Sequence, residues 1–218
     1  EYFVDIEGRK VKPNVLLTSF LRFKQIAKDC LIINPTEVTF LTIDKFLSTL
    51  VVKNFTDVKV PKTFLVRNRK DLLTIVNACF PKGFVIKPRF GAFGEGIRIC
   101  EKVEDVDVKK GEYVVQERIE VEKKDGNFWD VRSYAVDGEF CGALKRVSAN
   151  PVVNLSLGGK AEVLEEEYIE LIRKPTEKVV EAMEKFAKFL KKGWWVGPDS
   201  NRRPPPRKGG VIPLDHRP

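Results

Sequence analysis

Between two apolar stretches, Val85-Ile86-Lys87-Pro88 and Ile97 to Glu101, lie three glycines in six residues, Gly91-Ala92-Phe93-Gly94-Glu95-Gly96. Glycine lets the backbone turn its N–H groups toward an anion, and Lys87 at the end of the first stretch supplies a point charge. A polyphosphate needs that combination. Both flanking stretches read as strands, so the loop joins two strands of a hairpin. A Walker loop and a dinucleotide fingerprint are thereby excluded, because each opens directly into a helix. A glycine-rich turn with an exposed lysine nearby has the same local pattern, and the loop alone does not separate the two readings.

The rest of the chain supplies the context. From Thr36, placed as N-cap, Phe40, Ile43, Leu47, Leu50 and Val51 recur at helical steps. Asp29 to Pro35 reads as a short buried strand and turn, Lys59 to Val66 as a strand, Lys70 to Phe80 as an amphipathic helix and Gly83 to Lys87 as the strand before the loop. Tyr113 to Ile119 is a further strand. Phe128 to Val136 and Glu139 to Val147 are strands joined by Asp137-Gly138, the strongest short hairpin signal. Ser148 to Lys160 reads as a loop, followed by a helix from Glu165. Pro175 is expected to start a new helix with an apolar stripe of Val179, Val180, Met183, Phe186, Ala187 and Leu190, ended by Gly193.

Composition bounds the function classes. With 218 residues and 43% apolar content the chain can bury a core. No apolar run approaches the roughly 20 residues that span a bilayer, and Glu1 to Asp5 lack the order of a secretory signal, so a soluble, cytoplasmic protein without membrane partners is expected. Cys30, Cys79, Cys100 and Cys141 lack metal-knuckle or redox spacing and read as buried free thiols. The net charge of +8 raises nucleic acid as a partner. Five basic against two acidic residues put +3 of it in residues 193–218, and the other 192 residues, with 34 basic and 29 acidic groups, hold +5. Aromatic residues are not interleaved with basic ones as in a stacking platform, which counts against nucleic acid.

The Val85–Pro88 strand, the glycine loop, Val114-Val115-Gln116-Glu117, Asp130-Val131-Arg132 and Leu144-Lys145-Arg146 with Asn154 resemble, in that order, the ATP-grasp superfamily. Within it the closest likeness is to RimK-type ligases that add glutamate to a carboxylate, over about Pro35 to Lys192. The resemblance implies an α+β fold of two lobes, with antiparallel sheets and flanking helices enclosing a nucleotide cleft. It implies ATP and Mg2+ as cofactors, a carboxylate acceptor and an amino acid such as glutamate as partners, and ligation through an acyl phosphate. A homo-oligomer stays open. By the same likeness Lys87 contacts the α- and β-phosphates, Gly91, Ala92, Phe93, Gly94 and Gly96 close over them, and Lys45 reaches in as a second phosphate lysine. On helical geometry alone Lys45 belongs to a solvated face. Gln116, Glu117, Arg118 and Ile119 resemble the adenine hinge, Asp130 the ribose- or phosphate-side acid, and Asn154 a phosphate-side residue. Arg132 and Arg146 resemble the basic groups beside the acyl phosphate, for which surface salt bridges are the plain alternative.

The resemblance divides the chain into residues 1–35, a remnant of an N-terminal α/β domain; 36–112, a first lobe; 113–192, an incomplete second lobe; and 193–218, a basic proline-arginine tail. RimK-like chains follow the helix corresponding to Thr176–Lys192 with two strands carrying an Asp and a Glu-x-Asn for the metal. Here Gly193-Trp194-Trp195 follows instead, so no metal ligand is assigned. Val152-Val153-Asn154 stands where the family tends to have Arg-Ser-Asn. The tail resembles a tRNA gene read on its opposite strand, Asp199-Ser200-Asn201 matching the complement of the T-loop; a proline-rich binding arm is its rival. Three readings follow: a carboxylate–amine ligase or its nucleotide-binding core, a truncated ATP-grasp remnant without catalysis, and a basic nucleic-acid-binding protein.

Overall fold

A computed structural model describes residues 33–108, 111–121 and 123–193, together with residues 3, 4, 10, 11, 22, 26 and 29. Two two-residue strands, β1 (Phe3–Val4) and β2 (Lys10–Val11), pair antiparallel near the start. The rest of the remnant domain expected over residues 1–35, Cys30, and the tail beyond Gly193 lie outside the described residues; of the buried strand and turn expected at Asp29 to Pro35, the described residues 29 and 33–35 are exposed turn, bend or irregular backbone, with Ile33 83% exposed.

Helices α1 (Thr36–Ile43) and α2 (Lys45–Phe55) replace the single helix expected from Thr36. Asp44 breaks it. Its extended backbone and its carboxylate, which accepts from the N–H groups of Phe46 and Leu47, make it the N-cap of α2. Thr36 is the first helical residue and its hydroxyl donates to Glu37, so it is not a cap.

The first sheet has the order β3 (Thr63–Val66), β6 (Tyr113–Glu117), β4 (Phe84–Pro88), β5 (Arg98–Cys100), antiparallel throughout. Tyr113–Glu117 was expected to open the second lobe; its ladders with β3 and β4 put it inside the first sheet, and the change of sheet falls between Glu117 and Phe128. Strand alternation divides the sheet's faces. Phe84, Ile86, Val115 and Val66 pack with Leu72, Val76 and Phe80 from helix α3 (Arg69–Cys79) and its end, and with Val103 and Val106. Each such side chain contributes about 1.5–3 kcal/mol on full burial. The register leaves Thr63, Val85, Lys87, Val114 and Gln116 on the opposite face.

The second sheet is β7 (Phe128–Val136), β8 (Glu139–Ser148) and β9 (Lys160–Glu162). Asp137 and Gly138, at φ 53° and 83°, form the expected tight turn with both central residues left-handed. β9 begins at the last residue of the expected loop and lies in a stretch for which no strand was expected. Helix α4 runs unbroken from Glu166 to Gly193 through Pro175, which therefore starts no new helix. The proline removes the donor to the Leu171 carbonyl, and Leu171 is 69% exposed, so water can take that role. Thr176 continues the turn with a hydroxyl donated to Ile172 O at 2.8 Å.

α4 covers one face of the second sheet, with Tyr168 edge-on to Trp129 at 5.4 Å and Arg173 over Phe140 at 4.9 Å. Farther along, Ala182 and Met183 meet Leu41, Val51 and Val52 of α1 and α2. Residues 36–55 thus pack on the helix of the second lobe while leading into the strands of the first. Of the thiols described, Cys100 is buried and Cys79 half-buried, but Cys141 is exposed on β8, against the expectation that all are buried. No helix of the described residues is long and apolar enough to cross a membrane.

Candidate functional site

The loop between β4 and β5 is built from left-handed backbone: Gly91 (φ 139°), Phe93 (58°), Gly94 (80°) and Gly96 (70°). Two interlocked turns, Glu95 N–H to Ala92 O at 3.1 Å and Ile97 N–H to Gly94 O at 3.4 Å, shape it. Among the described residues, the amides of Ala92, Phe93, Gly94 and Gly96 take no hydrogen-bond acceptor. Gly96 backs onto Pro88, where a Cβ would stand 2.8 Å from the ring. The stem is therefore closed by contact as well as by conformation.

Lysines flank this loop from two directions. Lys87, on the face of β4 turned away from the α3 core, has no hydrogen-bond or ion-pair partner among the described residues, and desolvation by burial lowers its pKa. Lys45 begins α2, and the Asp44 break turns it onto the loop, where its Nζ donates to Gly91 O at 2.6 Å. It does not belong to the solvated face that an unbroken helix predicts.

The loop tip reaches the second lobe. A Cβ on Gly94 would lie 3.0 Å from Leu157 Cδ1 and 3.3 Å from Asn154 Nδ2. Asn154 caps a short 3-10 turn, Leu155–Leu157, by accepting from Ser156 N–H at 3.0 Å, so its amide nitrogen is left toward the glycine loop. Loop tip and turn are thus in contact range of one another.

Along β6, Gln116 is 8% exposed and its Nε2 donates to Thr63 Oγ1 at 2.8 Å. Glu117 accepts from the Lys62 N–H at 3.2 Å, Arg118 lies 3.7 Å from Glu101, and Ile119 is 58% exposed. These four residues run off the C-terminal end of β6, between β3 and β4.

On the second sheet Asp130 and Arg146 are cross-strand partners joined by two hydrogen bonds, Nε to Oδ1 at 2.7 Å and Nη2 to Oδ2 at 2.6 Å. The Asp130 carboxylate raises the Arg146 pKa further above its usual range. Arg132 shares their face, opposite Leu144, exposed and without an ion pair among the described residues. This face is turned away from α4, whose side carries Trp129 and the buried Lys145. Lys145, adjacent to Arg146 in sequence, points the other way, 5.2 Å from the Trp129 ring centroid and 3.5 Å from Glu165.

The structure thus brings Lys45, Gly91 to Gly96 and Asn154 together around the glycine loop, and places Lys87 with Gln116 on one sheet face and Asp130, Arg132 and Arg146 on another. Sequence reasoning missed Asp44, Arg89 and Glu112 at the loop stem; an Asp before a helical run was the one available signal. Among the described residues no cluster of three His, Cys, Asp or Glu side chains could hold a metal ion. Two open grooves of about 520 and 660 Å3 lie along α4, one against the end of α2 and one against the β7–β8 turn, and share no lining residue with this site.

A family model described as a RimK-like ATP-grasp domain matches residues 42–184. The coenzyme gamma-F420-2:alpha-L-glutamate ligase of Methanocaldococcus jannaschii is 34% identical over 157 residues, 66% of this chain and 52% of that protein. Its counterpart from Methanococcus maripaludis is 30% identical over 142 residues, 61% of this chain and 48% of its own. The chain spans about half the length of the curated relatives it matches. A crystal structure of the D-cycloserine synthetase DcsG superposes with a TM-score of 0.53 at 14% identity, over 78% of this chain and 61% of that one, a likeness of fold. With the two antiparallel sheets, the glycine hairpin and the match over most of the described residues in agreement, the chain belongs to the RimK-like ATP-grasp family.

Proposed function

We propose that the chain forms the nucleotide-binding core of an ATP-dependent carboxylate–amine ligase of glutamate-ligase type. The observation that carries this reading is Lys87, a desolvated cation without a partner among the described residues, on the sheet face beside a loop whose amides are open to an anion. An isolated charge in such a place is unfavourable unless a ligand of opposite sign completes it.

ATP supplies a phosphoryl group that activates a carboxylate. Lys87 and Lys45 would neutralise its phosphates, the amides of Ala92, Phe93, Gly94 and Gly96 would cradle them, and Gln116 to Ile119 would border the base. Gln116 and Glu117 already use their side chains on Thr63 and Lys62 and their main chain on β3 and β4, so the main chain of Arg118 and Ile119 is what the end of the strand would offer a base. A carboxylate oxygen bonds to the γ-phosphorus as the bond to ADP breaks; an amine nitrogen, that of glutamate by analogy with the relatives, then attacks the carbonyl, loses its proton and expels phosphate. Positioning and charge neutralisation carry most of such catalysis. Arg132, without an ion pair among the described residues, is suited to the developing acyl-phosphate charge, while Arg146 is oriented by Asp130. Asn154 would steady the loop tip.

The family likeness implies Mg2+, but the described acids do not fit it, since no three of them converge. The same observation favours a second reading, a nucleotide-binding remnant without catalysis. Calorimetry with ATP, with and without magnesium, followed by an ADP assay with glutamate and a carboxylate acceptor, separates them. Binding plus ADP formation supports the ligase, binding without turnover supports the remnant, and no binding discards both.

A further inference from the structure

The stem of the glycine loop carries a charged cluster that the reading above does not use. Asp44 is 1% exposed. Its Oδ1 accepts the N–H groups of Phe46 and Leu47 at 3.1 Å each, and its two oxygens accept Arg89 Nε at 3.0 Å each, with Nη2 also bonded to Oδ2. The Arg89 backbone is engaged at both ends: its carbonyl accepts from Lys45 N–H and its own N–H donates to Glu112 O, each at 3.0 Å. Nη1 donates to Glu112 Oε2 at 2.9 Å, and Glu112 accepts Arg67 Nε at 2.9 Å through its other oxygen. The guanidinium also lies 5.0 Å from the Phe90 ring centroid. The hydrogen bonds to Asp44 come first among the causes that raise the Arg89 pKa, so the fork stays charged at any working pH.

These contacts close a ring. Asp44 precedes Lys45, Arg89 precedes Phe90 and Gly91, and Lys45 Nζ reaches Gly91 O at 2.6 Å. We propose that Arg89 is a positioning residue that fixes the glycine loop and Lys45 in one rigid frame, so that loop amides and lysine meet a polyphosphate together. Three attachment points, on the N-terminus of α2, on the stem after β4 and on the segment entering β6, are set by one planar fork. A lysine offers one rotatable point charge and cannot reproduce them. The ligand half of this inference rests on the nucleotide reading; the positioning half does not.

The test uses the full chain as wild type, Asp44→Asn and Arg89→Lys. Asparagine caps a helix as well as aspartate does, so Asp44→Asn keeps the bonds to Phe46 and Leu47 while removing the charge that Arg89 grips. Amide exchange by NMR should quicken by about tenfold or more, the scale of one charged hydrogen bond, at the hydrogen-bonded amides of the loop and its stem, Lys45, Arg89, Glu95 and Ile97. Exchange at Phe46 and Leu47 should stay unchanged in Asp44→Asn, and ATP affinity by calorimetry should fall by a factor similar to the loop's. Unchanged loop exchange in both variants overturns the positioning role, whether or not ATP affinity changes. Should wild type bind no ATP, the nucleotide reading fails while loop exchange still decides the frame. Should Asp44→Asn not fold, Arg89→Lys supplies the same comparison.

Discussion

Replacing Lys87 with methionine should move stability and affinity in opposite directions. Methionine keeps an unbranched stem of similar reach and removes the charge, so packing between Val85 and the fully buried Val114 is little disturbed. In the unliganded protein the change removes a desolvated cation that has no partner among the described residues. Relief of that unfavourable burial is worth about 1 kcal/mol, since replacing poorly compensated buried ions by apolar groups is often stabilising. For a chain of this size it raises the melting temperature by roughly 2–4 °C. The sign has a pH signature. The Lys87 pKa in the folded state lies below the ordinary 10.5, so its unfavourable contribution is fully present below the folded value and fades as pH rises toward 10.5. Wild type should therefore gain on the variant through that window. With ATP the order reverses: loss of one or two charged contacts, about 3 kcal/mol, weakens Kd roughly 150-fold. Differential scanning fluorimetry from neutral to alkaline pH and calorimetry with ATP measure both halves. A melting temperature lowered by several degrees, or an ATP affinity within about threefold of wild type, would refute the reasoning.

Three further expectations stand on separate parts of the molecule. Gly96→Ala introduces a Cβ 2.8 Å from the Pro88 ring at a φ of 70°, and the left-handed backbone and overpacking together should destabilise the stem by about 2–5 kcal/mol, read by urea unfolding. Glu165 has its pKa lowered to about 2, chiefly by the hydrogen bond from Lys124, so its contribution is present above the ordinary 4.5 and is lost as pH falls toward 2. Glu165→Gln should flatten the acid limb of a stability-versus-pH curve over that interval, and an unchanged limb would count against it. Under a thiol reagent, peptide mapping should find exposed Cys141 modified before Cys79 and Cys79 before Cys100, whose buried thiol has a raised pKa; early modification of Cys100 would show that its cluster opens readily.

What could be seen in the sequence was local. Asp137-Gly138 declares its turn because left-handed backbone at two successive positions demands those residue types. The glycine loop and Lys87 were visible for a similar reason: backbone freedom beside a cation is written in consecutive residues. Helical periodicity alone misdirected Lys45 to a solvated face, because it continues smoothly across Asp44 although the backbone stops there. Pro175 misled in the opposite sense. It looked like a start, but packing of α4 on both its neighbours carried the helix through one lost hydrogen bond. β9 left no trace, since Lys160, Ala161 and Glu162 are all exposed and an edge strand needs no apolar alternation. The Asp44–Arg89–Glu112 cluster was out of reach because its partners stand 45 and 23 residues apart, and only the fold brings them together.

Helix α4 also acts as a strut. At about 1.5 Å per residue its 28 residues extend roughly 42 Å, far enough to dock the second sheet at Tyr168 and Arg173 and the α1–α2 pair at Ala182 and Met183. Pro175 lies between the two docking stretches, at the point where the helix lacks a rung. The α1–α2 pair in turn leads, through Asp44 and Lys45, to the stem of the glycine loop. The second sheet, the α1–α2 pair and the glycine loop are therefore joined by a continuous path of packed contacts through α4, and Pro175 lies on that path.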